Sequence, residues 1–148
     1  MEGPLERECG QSLVFIALLL PVLVLFMYLL LDYAVATQRV QMVSAAADLG
    51  AHAGVQEVTV LPDGSLQPAK QAPVVAQRYF WRNIPATMRT DVAITTVRCG
   101  VTQHPRAGDM PYCRLVAQVK VGGFGLPSRT VSVQSVAYLP YGATREGQ

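Results

Sequence analysis

The chain has 148 residues, 51% of them apolar and 15% charged, with a formal net charge of +2. Such a balance excludes a disordered chain, whose charge would outweigh its apolar content, and gives no sign of the strongly basic surface that nucleic-acid binding needs. The length leaves room for one modest domain beside any long apolar segment.

Residues 1–12 form a polar leader in which Glu2, Glu6 and Glu8 outnumber Arg7. An uninterrupted apolar run follows from Leu13 to Leu31, and Tyr33–Ala36 extend it past Asp32. About 20 helical residues at 1.5 Å each cross a hydrocarbon core, so residues 13–36 read as a transmembrane helix. Pro21 removes one hydrogen-bond donor, which spanning helices tolerate. Tyr28 and Tyr33 lie near the outer end, where amphipathic rings favour the interface. A cleaved signal ending at Ala34-Val35-Ala36 is the competing reading. It fits less well, because signal peptides have a basic leader and a shorter apolar core.

No proline or turn cluster interrupts residues 37–58. Val40, Val43, Ala47, Ala51, Gly54 and Val58 recur at spacings of three and four, which predicts a projecting helix continuous with the span, from about Ser12 to about Glu57. Ala47, Gly50, Ala51 and Gly54 mark a face of small residues and hence close backbone approach. The covering of that face is either a partner helix or the chain's own sheet. Leu61-Pro62-Asp63-Gly64 is a turn signal, with a short strand leading into it over Val58–Leu61. A polar stretch reaches Pro73, which starts a second helix ending near Asn83, before Pro85. Its Tyr79-Phe80-Trp81 trio is either core material or an exposed contact patch. From residue 89 the period becomes two. Strands are expected over Asp91–Arg98, Arg114–Val121 and Arg129–Leu139. The expected fold class is α+β: a long N-terminal helix, transmembrane then extracytoplasmic, a short second helix and a small antiparallel sheet. The expected organisation is a cytoplasmic leader at 1–12, a transmembrane helix at 13–36, a projecting helix at 37–58 and an extracytoplasmic α+β head at 59–148.

Cys99 is expected to end one strand and Cys113 to begin the next, so a disulfide would close the loop between them. Such a bridge persists outside the cytosol, which puts the head outside and the leader, with the odd Cys9, inside. Two free thiols, or a metal held with His104, are the alternatives, and the second lacks a convincing fourth ligand. The sequence shows no catalytic triad, no His-Glu-x-x-His and no phosphate-binding glycine loop. His52 reads as packed or half exposed on its helix and His104 as a loop residue. Asp32 either ends the span at the head groups or touches a partner within an assembly. Residues 37–148 carry eleven Lys and Arg against six Asp and Glu, scattered as on a solvated face. No enzyme, cofactor, metal site or nucleic-acid partner is expected.

Several stretches resemble the TadE/TadG-like proteins of tight-adherence (Flp-type) pilus systems, relatives of type IV pilins. They are "CGQSLVFIALLLPVLVL" (9–25), "DYAVATQRVQMVSAAADLGAHAG" (32–54), "AQRYFWRN" (76–83) and "RTVSVQSVAYLP" (129–140). The resemblance implies a pilin-like fold and a single-pass protein of the inner or cytoplasmic membrane. It implies a role as minor subunit or assembly component, with other pilin-like or pilus assembly proteins as partners along the long helix and the lipid bilayer around its first half. It also implies processing by a prepilin-type peptidase after Gly10, leaving Gln11 first. Phe15 would then be fifth, where the family pattern has Glu, which argues against the major repeating subunit. The other function class is a monomeric membrane-anchored binding module whose head recognises a ligand or envelope protein.

Overall fold

A computed structural model describes residues 5–104, 108–122 and 127–139. Residues 1–4 of the expected leader, 140–148 of the expected head and parts of the two loops read at 100–112 and 122–128 lie outside the described residues.

Helix α1 runs unbroken through Leu5–Gln56 and contains Pro21. It starts earlier than the apolar run, because Leu5, Glu6, Arg7 and Glu8 are good helix formers and the single Gly10 does not interrupt it. Every residue from Leu13 to Leu31 is exposed, and the helix is long and apolar enough to cross a membrane. Beyond it, β1 (Val58–Val60) and β2 (Leu66–Pro68) form a small antiparallel hairpin around the Pro62-Asp63-Gly64 turn. Gly64 has φ +81°, a left-handed conformation that glycine adopts without steric cost. Asp63 accepts from the Ser65 backbone N–H (3.0 Å) and its hydroxyl (2.7 Å), and these bonds hold its carboxyl below the usual carboxylate range. The β2 strand is absent from the sequence reading, which took residues 65–73 as irregular. Three residues ending in proline offer no alternation to detect.

Helix α2 (Ala72–Asn83) has Pro73 in its first turn and Arg82 in its last. It stops where Ile84 turns extended ahead of Pro85, as the residue before a proline prefers. A short 3-10 turn, η1 (Ala86–Met88), leads into the main sheet. That sheet is an antiparallel meander of β3 (Val92–His104), β4 (Gly108–Val121) and β5 (Arg129–Tyr138), in the order β3-β4-β5. The strands are longer than the sequence indicates. The stretch read as a turn-rich loop after Cys99 is mostly the far arm of a hairpin, paired from Gly100↔Tyr112 to His104↔Gly108.

The core lies where the upper half of α1 meets α2 and the inner sheet face. Val43, Ala47 and Ala51 of α1, Ala76 and Phe80 of α2, and Leu115, Ala117 and Val119 of β4 are all buried. The expected alternation of β3 breaks in the middle. Ile94 pairs with Ala117 but Thr96 pairs with Val116, so Thr95 is an extra, bulged residue. The inward face therefore changes from Val92 and Ile94 to Val97 and Cys99.

Candidate functional site

The α1 helix carries the features that matter for function, in two successive lengths. Its first half offers an apolar surface on all sides, as a helix surrounded by lipid does. Apart from the bond that Pro21 cannot donate, helical backbone bonding satisfies the peptide groups of the run Leu13–Leu31.

In the second half, small residues let the head sit against the backbone. Ala47, Gly50, Ala51 and Gly54 are all buried. A Cβ placed on Gly50 would lie 2.8 Å from the Ala76 carbonyl oxygen and 3.0 Å from Leu115 Cδ1. One on Gly54 would lie 2.7 Å from Cys113 Sγ, 2.9 Å from Ala76 Cβ and 3.2 Å from the Ala72 carbonyl oxygen. Of the two coverings open to this face, the structure has the chain's own α2 and β4. That face of α1 is therefore covered by the chain itself.

The bulge at Thr95 bears on the cysteines. Without the extra residue, Arg98 would face inward and Cys99 outward. With it, Cys99 faces the core, directly opposite Cys113 in the β3–β4 register, and the two sulfurs are bonded at 2.00 Å. Both cysteines lie within strands rather than at their ends, and Cys113 Sγ is the atom against which Gly54 packs. Sequence reading put Cys99 at the end of one strand and Cys113 at the start of the next, and it missed the bulge that aligns them, since no residue type announces it.

Beyond the apolar run, the Arg39 guanidinium lies 3.5 Å from the Asp91 carboxylate, and both side chains are about a third exposed. Asp91 also accepts from the Lys120 N–H through its backbone carbonyl (2.7 Å). The ion pair joins the start of β3 to α1, and no local pattern links these two distant charges. An open groove of about 430 Å³ lies below it, lined by Leu29, Asp32, Tyr33, Ala36, Val121 and Arg129 among others. Asp32 is thus half-buried against the base of the sheet at the end of the apolar run.

The remaining candidates are dispersed. His52 is exposed, and its Nδ1 is 2.9 Å from the Asp48 carbonyl oxygen. The backbone of His104 ends β3. Gly10 and Gln11 lie within α1. Phe80 is fully buried, Trp81 packs edge-on against it with ring centroids 5.2 Å apart, and Tyr79 is exposed, so the aromatic trio divides between its two readings. On the outer sheet face Tyr112 and Tyr138 pair at 6.4 Å, and Arg114 Nη2 donates to Gln134 Oε1 at 2.7 Å. No cluster of metal-ligating side chains occurs among the described residues. The described residues form one long helix, apolar along its first half, with a disulfide-bridged sheet packed on its second half.

Residues 10–57, about a third of the chain, match the Tad family (Flp pilus-assembly TadE/G-like). The match supports the TadE/TadG-like assignment, and it falls almost wholly on α1. No curated protein and no solved structure matches the chain.

Proposed function

We propose that this chain, whose long helix carries the TadE/TadG-like match, is a membrane-anchored, pilin-like minor subunit or assembly component of a tight-adherence pilus. The observation that carries this reading is the coincidence of the matched residues 10–57 with a single unbroken helix, Leu5–Gln56. The segment shared with the family is the part that spans lipid and holds the head. Residues 13–36 cross the membrane, 37–58 project, and 59–148 form the head on the outer side, with the leader inside. The extracytoplasmic placement is supported by the bonded Cys99–Cys113 pair, since such bonds persist in oxidising compartments. The work of the chain is positional: it has no turnover of its own, and it holds other pilus proteins in the membrane through α1.

Gly10 remains the candidate peptidase site, with Gln11 as the new amino terminus. Phe15 stands at the fifth position after it, where an acidic group would pair with a neighbour's terminal amine, and this favours a minor or accessory role. A monomeric binding module is the second reading, favoured by the exposed Arg114, Gln134 and Tyr138 and the half-buried Tyr112 grouped on the outer sheet face. Chromosomal deletion, complemented by the wild type or by Leu19→Asp, separates the two. The pilus reading predicts loss of surface pili on deletion and no rescue by the variant that fails to insert. Pili in unchanged number after deletion would refute it.

A further inference from the structure

We propose that the groove between α1 and the lower end of the main sheet holds one phospholipid whose head carries both a phosphate and a primary amine, as in phosphatidylethanolamine. The depth of the groove follows from the helix. The run Leu13–Leu31 covers about 28 Å at 1.5 Å per residue, close to the roughly 30 Å of a hydrocarbon core. The head-group layer adds about 5–8 Å on each side, which is the rise from Asp32 to Ala36. The groove, of about 430 Å³, is lined from α1 by Leu29, Asp32, Tyr33 and Ala36 and from the sheet by residues that include Val121 and Arg129. The lower end of the sheet therefore stands at the depth of the lipid head groups. It is held there from above. Arg39, one turn beyond Ala36, pairs with Asp91, and the Asp91 carbonyl accepts from the N–H of Lys120, the neighbour of Val121.

The lining matches this occupant in two ways. Leu29, Ala36, Val121 and Val131 give apolar walls, and Asp32 and Arg129 add one charge of each sign. Arg129 is exposed and has no ion pair among the described residues. Its guanidinium offers a phosphate two parallel N–H donors. Asp32 is half-buried, and a carboxylate has about four lone-pair sites, so an ammonium can add to the contact that Asp32 makes within the chain. A purely anionic head group meets repulsion from Asp32. A quaternary ammonium has no N–H to donate. The volume is that of a small-molecule site, and lipid is present at this depth whichever proteins α1 meets.

This inference rests on the membrane placement proposed above, and its test reports on the two separately. The full chain is reconstituted in vesicles of phosphatidylethanolamine, phosphatidylcholine and phosphatidylglycerol in equal parts, released in mild detergent and weighed by native mass spectrometry. One phosphatidylethanolamine per chain should be retained about fivefold or more over either other lipid, the factor that one matched charge at a membrane surface supplies. Arg129→Gln and Asp32→Asn should each bring the three lipids to within about twofold of one another, with the unfolding temperature of the head unchanged. Lys120→Gln, an exposed cation that does not line the groove, should keep the preference. Free phosphoethanolamine in excess should not displace the lipid, because it leaves the apolar walls uncovered. Equal retention of the three lipids, phosphatidylglycerol retained ahead of phosphatidylethanolamine, a preference that survives Arg129→Gln, or displacement by free phosphoethanolamine would overturn the site and leave anchorage intact. A chain that stays soluble and does not enter vesicles would overturn both.

Discussion

Gly54→Ala tests the way the head is seated on α1. On an exposed helical position this change should stabilise by about 0.8–1 kcal/mol, because alanine is the better helix former. At Gly54 the new Cβ meets the Cys113 sulfur at 2.7 Å, Ala76 Cβ at 2.9 Å and the Ala72 carbonyl oxygen at 3.2 Å. None of these is the free end of a flexible chain. The sulfur is tied by the bridge, and the other two belong to α2, so α2 itself must shift. Overpacking costs about 1–3 kcal/mol; with three fixed neighbours the upper part of that range, about 2–3 kcal/mol, applies, and less the helix-propensity gain the net expectation is destabilisation by about 1–2 kcal/mol. For a head of this size that lowers the melting temperature by roughly 5–15 °C. Thermal unfolding of the full chain in detergent, followed by circular dichroism beside Gln41→Ala as a surface control, reads it. A Gly54→Ala protein as stable as the wild type, or more so, would show that the close contact between α1 and α2 is not present.

Four further outcomes follow from named contacts. Gly50→Ala should cost less than Gly54→Ala in the same assay, because one of its two tightest contacts is the side-chain terminus Leu115 Cδ1, which can rotate. Replacing Cys99 and Cys113 together with alanine removes a bridge across 14 positions and should cost about 3 kcal/mol, measured as a lowered denaturation midpoint that no longer responds to reductant. Asp91→Asn should cost less than about 1 kcal/mol, since the Arg39 pair is partly exposed and the backbone bond to Lys120 persists. Asp63 has a depressed folded-state pKa, so its contribution to the β1–β2 turn is present above the unfolded carboxylate value and lost as pH falls through the folded one. An NMR titration should show the Ser65 amide shifting below the ordinary aspartate range, and a Ser65→Ala change should move that transition upward.

The long helix was legible because one signal persisted: fifty residues without a turn cluster, first apolar all round, then apolar on one stripe. Pro21 did not hide it, since the surrounding apolar run outweighs one lost bond. The second helix and the strand cores were legible from Pro73 and from two-residue alternation in β4 and β5. Local patterning could not show the bulge at Thr95, because Thr95 and Thr96 are identical neighbours and either one fits either face of the sheet. Nor could it show that β3 extends through Thr102 and Gln103 to pair with Met110 and Asp109 of β4, where pairing across the hairpin overrides weak local preference. The small face at Gly50 and Gly54 announced close packing but not with what. A glycine records the absence of a side chain, and the identity of its neighbour is set by tertiary contact with Ala76 and Cys113.

The central claim is that α1 both anchors the chain and carries its head, and intact-mass spectrometry of the native protein after membrane fractionation tests it most directly. The account predicts a membrane-bound chain that retains Leu13–Leu31 and begins at or before Gln11, with a mass two hydrogens short for the Cys99–Cys113 bond. A soluble mature chain beginning at Thr37 would contradict it.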